Sequence, residues 1–269
     1  MRKYLKGMLI TSIMSSVLVS NVAKATDGTE KSSDRYAYVG VNFGLSEPIV
    51  KSFKHTDFTT NKDTMIRLKQ SHMYGVNVGY SFYPGMLVEF STTYQPKYRM
   101  AYRLPEFVSP LTGAQVPETP GTTGVTSDVF MINFIYEMQK MTSLQIEPYV
   151  VFGAGVARIS IKPTTSSFSA ALPVIGNTDV PFFKIRKTSQ NCFGWQVGGG
   201  VSRDLTDNFS VDFGAKMQVV HDIKIKYKEL SGVELTPTGI NFLHKNAKPI
   251  KKTIAVGEFT MGLTYKFPL

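Results

Sequence analysis

The chain of 269 residues holds 30 Lys and Arg against 20 Asp and Glu, with one Cys, one Trp, 22 Gly, 13 Tyr and 18 Phe. Charged residues make up only 19% of it, below the roughly 25% of soluble domains, which argues against a disordered or nucleic-acid-binding tail protein. A single cysteine excludes a disulfide framework, a four-cysteine zinc site and a CxxC redox pair.

The first residues have the layout of an export signal. Arg2, Lys3 and Lys6 form a basic head, residues 8–19 an apolar run, and Ala23-Lys24-Ala25 a small-residue cleavage site. The run is shorter than the ~20 residues of a membrane-spanning helix. Cleavage after Ala25 takes away four cations, so the net charge falls from +10 to +6 over residues 26–269. Export implies an oxidising compartment, where Cys192 has no partner and reads as a packed or lipid-facing thiol.

From there on the pattern repeats every two residues, as half-exposed strands require. In residues 36–45, Ala37, Val39, Val41, Phe43 and Leu45 share one face, opposite Tyr36, Tyr38, Gly40, Asn42 and Gly44. Residues 74–82 continue it, with Tyr74, Val76, Val78, Tyr80 and Phe82 opposite Gly75, Asn77, Gly79 and Ser81. Pro84-Gly85 makes a tight turn into residues 86–94. Further strands are predicted over 129–137, 147–159, 193–205, 209–219 and 253–267, eight in all. Gly198-Gly199-Gly200 falls within a strand pattern, where close packing or a bend is expected.

The connections alternate in length. Short ones fall near residues 84–85, 140–143 and 206–208, and long ones span 46–69, 95–127, 162–190 and 221–252. Residues 105–124, rich in Pro, Gly and Thr, read as a mobile loop tip. Outer-membrane barrels have this alternation, with short periplasmic turns and long external loops. The face chemistry agrees: the apolar face is large and aromatic, and the opposite face is glycine, serine, asparagine and isolated charges. A soluble barrel would put its apolar face inward. The expected fold is therefore all-β, an eight-stranded antiparallel transmembrane β-barrel with four long extracellular loops. A periplasmic barrel or sandwich is the competing arrangement. The inward charges Glu89, Asp212, Lys216, Glu258 and Lys266 would have to pair with one another, since an unpaired buried charge is costly.

The segments Tyr38-Val-Gly-Val-Asn-Phe-Gly44, Glu147-Pro-Tyr-Val-Val-Phe-Gly-Ala-Gly-Val156 and Gly194-Trp-Gln-Val-Gly-Gly-Gly-Val201 resemble the opacity-type and OmpA-like barrel family. Gly262-Leu-Thr-Tyr-Lys-Phe267 is similar to the carboxy-terminal aromatic strand used in outer-membrane assembly, although Pro268-Leu269 follow it. In its long loops and many lysines the chain is similar to rickettsial-type surface antigens. The resemblance implies a barrel on a Gram-negative surface, adhesive or immunogenic rather than catalytic.

Charge supplies the functional clue. Cations outnumber carboxylates by five to three in residues 46–69, three to two in 95–127, four to one in 162–190, and seven to three in 221–252. The rest of the mature chain is then net negative. Candidate binding residues are Lys184, Arg186 and Lys187 in the third connection, and Lys224, Lys226, Lys228, Lys245, Lys248, Lys251 and Lys252 in the fourth. Ile223, Ile225 and Tyr227 alternate with the lysines, which suggests that the seventh and eighth strands extend above the membrane. Clustered cations attract anionic partners. The candidates are an acidic host-surface protein or glycan, and phosphates of the cell's own outer-membrane lipid and lipopolysaccharide. The assembly machinery is a further expected partner; nucleic acid is not, and the chain is expected to be a monomer. A narrow porin or a membrane-stabilising barrel is the alternative function.

Chemistry has little support. His55, His72, His221 and His244 lack metal-ligand spacing, and no phosphate-cradling glycine run is present, so no metal or cofactor is expected. A Ser–His lipid hydrolase is the enzymatic alternative. His55 beside Thr56 and His221 beside Asp222 are only neighbours in sequence, and a nucleophile needs its base within hydrogen-bond reach.

Overall fold

The computed structural model describes residues 35–268, apart from 50–51, 57–62, 105, 109–114, 117, 139–145, 173–175 and 237–238. The export signal expected over 1–25 and the turn expected near 140–143 lie outside the described residues. Eight long strands carry the architecture: β1 (Tyr36–Pro48), β2 (Ser71–Tyr83), β3 (Met86–Leu104), β4 (Thr119–Glu137), β5 (Glu147–Ile161), β6 (Thr188–Asp204), β7 (Phe209–Ile225) and β8 (Ile250–Pro268). Each pairs antiparallel with its neighbour in sequence, and β8 pairs with β1 from Tyr36↔Pro268 to Pro48↔Val256. The ring is closed, so none of its eight strands is left as an edge inside the bilayer.

Two turns show the local causes. Gly85, at φ 75°, takes the left-handed position of the Pro84-Gly85 turn, where proline presets the preceding residue and a side chain would be strained. Between β6 and β7, the Phe209 N–H donates to Thr206 Oγ1 at 3.1 Å and the Asn208 amide donates to the Lys266 carbonyl at 2.9 Å.

The faces are inverted relative to a soluble protein. Val41, Phe43 and Phe90 point outward at 55%, 56% and 60% exposure, while Asn133 and Glu258 point into the barrel at 1%. Only lipid makes such an outer surface favourable. Close packing fills the lower lumen. The Tyr38 ring lies over Gly79, and the Tyr149 hydroxyl sits against Gly200 and Gly214, where an added Cβ would be 2.6 and 2.8 Å from it. The glycine run of β6 thus serves packing. Gly200→Val is expected to destabilise the barrel by about 1–3 kcal/mol through overpacking, seen as an earlier midpoint of heat-modifiable gel migration.

The strands outrun the membrane. A crossing takes about 9–11 residues, and β3 and β8 each have 19. Above the bilayer the polarity reverses: Tyr98, Met100, Tyr102, Leu104, Ile159, Ile161, Ile223 and Ile225 fill the interior. On β3 and β7 the reversal comes with register shifts between Gln95 and Tyr98 and between Val220 and Ile223. At the second, Asp222 adopts φ 56°. Each is a β-bulge, an odd residue that swaps the two faces of a strand. Apolar positions that met lipid below the bulge meet the core above it.

The long connections are mostly β-structure, which corrects their reading as loops. Strands Ser52–Thr56 and Asp63–Leu68 add onto β3, and Phe107–Val108 pairs with Gln115–Val116. Thr164–Leu172, Gly176–Ile185, Tyr227–Thr236 and Gly239–Asn246 form a four-stranded sheet. Thr119–Gly124, expected within a mobile tip, belongs to β4 and pairs with Arg99–Leu104. Burial of Tyr102 and Leu104, and the space Gly121 leaves for the Tyr102 ring, zip this part of the strand. Desolvation pushes the Tyr102 phenol above its ordinary pKa, and its hydroxyl lies 2.8 Å from the Ser166 hydroxyl.

Candidate functional site

The lower interior holds a polar network. Glu89, on β3, accepts hydrogen bonds from the Tyr38 hydroxyl at 3.0 Å, the Asn77 amide at 2.6 Å and the Asn133 amide at 2.7 Å. Asn133 in turn accepts from Gln196 at 2.6 Å. Glu258 lies opposite Lys216 in the β7–β8 ladder and accepts from Gln95 at 2.8 Å. The Tyr149 hydroxyl bonds Asp212, which also feels the charge of Lys216. Lys266 pairs with Asp204 at 2.8 Å and stands 5.3 Å from the centre of the Tyr36 ring. Lys216 thus serves both Glu258 and Asp212, Lys266 turns to Asp204, and two amides and one phenol hold Glu89. Their signal in the sequence was parity alone: Asn77, Asn133 and Gln196 occupy the face opposite the aromatic residues. Around them lies a polar cavity of about 100 Å³. In the upper interior a second cavity, about 50 Å³, is walled by residues such as Met100, Val125, Ile161 and Ile225.

Outside, register places the cations. The apolar outer face ends at Phe130, Val156 and Phe193, which are adjacent across β4, β5 and β6. The next outward row holds Asp128, Arg158 and Asn191. Arg158 is exposed there, and the sequence reading does not single it out because it falls inside the strand predicted over 147–159, outside the long connections searched for cations. On β7 and β8 the corresponding row has Lys224 directly opposite Lys251. Both are exposed, with exposed Asp222 nearby. Lys226 follows, its carbonyl accepting from the Arg186 N–H at 2.9 Å. Farther out, Lys184 lies opposite Lys228. Arg186 also donates to Asn246 at 3.3 Å, and Lys187 and Lys248 are exposed. Lys245 lies in the strand Gly239–Asn246, and its side chain is outside the described residues. Lys252 corrects the expectation of a surface cation, because it lies opposite Ile223 and lines the upper cavity.

Below Lys224 sits an aromatic cluster. Trp195 Nε1–H donates to His221 Nε2 at 3.1 Å, and the His221 ring stacks on Phe193 with centroids 6.1 Å apart. His221 is thus held as an acceptor for indole. His244 Nε2 meets the Pro181 carbonyl at 2.9 Å. His55 lies in the strand Ser52–Thr56, with its side chain outside the described residues.

An inverted, closed eight-strand ring is what an outer-membrane domain requires, and the profile of the outer membrane protein beta-barrel domain matches residues 12–267. The chain belongs to this family. An uncharacterized protein of Rickettsia prowazekii, RP788, is 37% identical over 198 residues, covering 73% of this chain and 99% of its own. Among solved structures, Neisserial surface protein A aligns over 88% of this chain and 100% of its own, with 14% identity and a TM-score of 0.44. OprG of Pseudomonas aeruginosa aligns over 87% and 96%, again with 14% identity and a TM-score of 0.44. As a member of the outer-membrane β-barrel family, the protein resides in the bacterial outer membrane, set in lipid and lipopolysaccharide.

Proposed function

We propose that this outer-membrane barrel is a surface binding protein, neither an enzyme nor a pore, and that its outer cations hold an acidic host-surface protein or sulfated glycan. The observation that carries the reading is the like-charged pair Lys184 and Lys228, opposite one another in the outer sheet, with Arg186 and Lys226 joined through the backbone beside them. Like charges directly opposite on a sheet repel and destabilise it. An anion bound between them turns that repulsion into attraction, so the pair is best explained as half of a binding site. The test is titration of the full chain in detergent micelles with a heparin-derived oligosaccharide. Lys184→Ser, Arg186→Ser and Lys228→Ser together should weaken binding about tenfold, from three surface ion contacts at about 0.5 kcal/mol each. Unchanged binding would remove the outer sheet from the ligand site.

Against a pore stands the apolar packing above the polar lumen. An ion crossing it would lose hydration without gaining partners, at a cost of many kcal/mol. Purified protein in planar bilayers is expected to give no steady channels, and regular conductance steps would restore the porin reading.

A further inference from the structure

We infer that the lower like-charged pair, Lys224 with Lys251, is a seat for a phosphorylated lipid of the outer leaflet, so that the barrel's cations divide into a membrane tier and a ligand tier. The division deepens the proposed function, yet the lower tier requires only that the barrel sits in the outer membrane. Three observations carry it. The two lysines lie directly opposite each other on β7 and β8, both exposed, so each is exposed to the other's charge unless an anion lies between them. They stand just beyond the point where the outer face stops being apolar: Val219 and Ala255 pair below them, and then His221 closes the aromatic cluster with Trp195 and Phe193. Aromatic girdles of this kind mark the boundary between acyl chains and headgroups. The charge around them is also one-sided. Arg158, Lys226, Arg186, Lys187 and Lys248 are exposed on the β5–β8 side, against exposed Asp222 and Asp179 and the half-buried Asp128 of neighbouring β4.

A partner seated at that height must carry its negative charge at the headgroup and its apolar part below, alongside Trp195 and Phe193. A lipid phosphate does so without leaving the bilayer. A soluble polyanion would have to press down to the bilayer surface to reach the pair, whereas the pair of exposed Lys184 and half-buried Lys228 stands farther out. Basic residues beside a membrane contribute about a fivefold preference each for anionic lipid, so the pair corresponds to about twenty-fivefold.

The chain contains its own reporter, because Trp195 is its one tryptophan. The full chain is placed in phosphatidylcholine vesicles with a minor fraction of phosphatidic acid, and dibrominated chains are put on either lipid in turn. Brominated phosphatidic acid should quench Trp195 well beyond its share of the bilayer. Lys224→Ser with Lys251→Ser should bring quenching down to that share, while Lys184→Ser with Lys228→Ser should leave it unchanged. Lys224, Lys251 and Lys184 are exposed and Lys228 is half-buried, and heat-modifiable migration confirms that each barrel has formed. Quenching by share alone in the unmodified chain, or a preference surviving in the lower double, overturns the inference. Inorganic phosphate should not relieve the quenching; relief would mean that the seat takes a free anion instead of lipid. If the lower double abolishes binding of the heparin-derived oligosaccharide, the two tiers are one site and the division fails. Absence of oligosaccharide binding altogether sinks only the proposed function and leaves the lipid result standing.

Discussion

Glu89→Ala is expected to lower barrel stability by about 3 kcal/mol, read as a shift in urea-unfolding midpoint in lipid vesicles. The carboxylate receives three donors, Tyr38, Asn77 and Asn133, and is 9% exposed. Removing it strands all three, and an unsatisfied buried polar group costs about 1–3 kcal/mol. The sum is tempered by the adjoining polar cavity of about 100 Å³, which has room for water to take up some of the lost bonds. Glu89→Gln separates charge from acceptor capacity. It keeps the shape and one carbonyl but presents an amide to the donors, so a loss of about 1–2 kcal/mol is expected. Equal stability of all three proteins would mean that water already satisfies these groups and that Glu89 is not their hub.

The second large effect is expected from Ile225→Asp. Ile225 is 3% exposed in the outer core, beside Ile223 and Ile250. A carboxylate there enters a cavity lined mainly by apolar side chains, with Lys252 the one cation on its wall, and a buried charge that is not fully paired and hydrogen-bonded costs several kcal/mol. The outer storey can escape that cost by opening locally, as weakly coupled parts of proteins do. Amide exchange should therefore speed up across residues 98–104 and 223–225 while residues 38–43 and 76–79 remain protected. Lys224→Asp is the control: its side chain is exposed on the neighbouring position, and its effect on stability should stay within about 0.5 kcal/mol. Uniform loss of protection in both storeys would show that they fold as one unit.

The membrane half was legible because lipid outside and polar groups inside give a plain alternation. Val39, Val41 and Phe43 against Tyr38, Gly40 and Asn42 locate β1 without any structure. In the outer half only the rise of β7 and β8 was legible, from the alternation of Ile223 and Ile225 with the lysines, and the rest was hidden for a physical reason. On β3, even-numbered positions are apolar from Val88 and Phe90 through Tyr98, Met100 and Tyr102, yet the first two face lipid and the last three face the core. A one-residue bulge reverses the faces while the apolar period runs on, so the pattern conceals the bilayer boundary. On β5 no bulge intervenes, and the change shows as Val156 outward followed by Ala157 and Ile159 inward. The cations were legible as a cluster, but not as pairs. That Lys224 meets Lys251, Lys184 meets Lys228, and Lys252 turns inward depends on cross-strand register, which links residues far apart in the chain. The neutral partners of Glu89 were hidden in the same way.

The bulge at Asp222 also governs how the exposed half can change in length. Strand faces recur every two residues, so a pair of residues added above the bulge lifts what lies beyond it by about 7 Å without turning any side chain over. An odd change at the bulge does the reverse, driving Lys224 and Lys226 into the apolar interior and setting Ile223 and Ile225 in water. Growth in twos is silent and growth in ones is ruinous. The outer hairpins can therefore drift in height and still present the same chemical face.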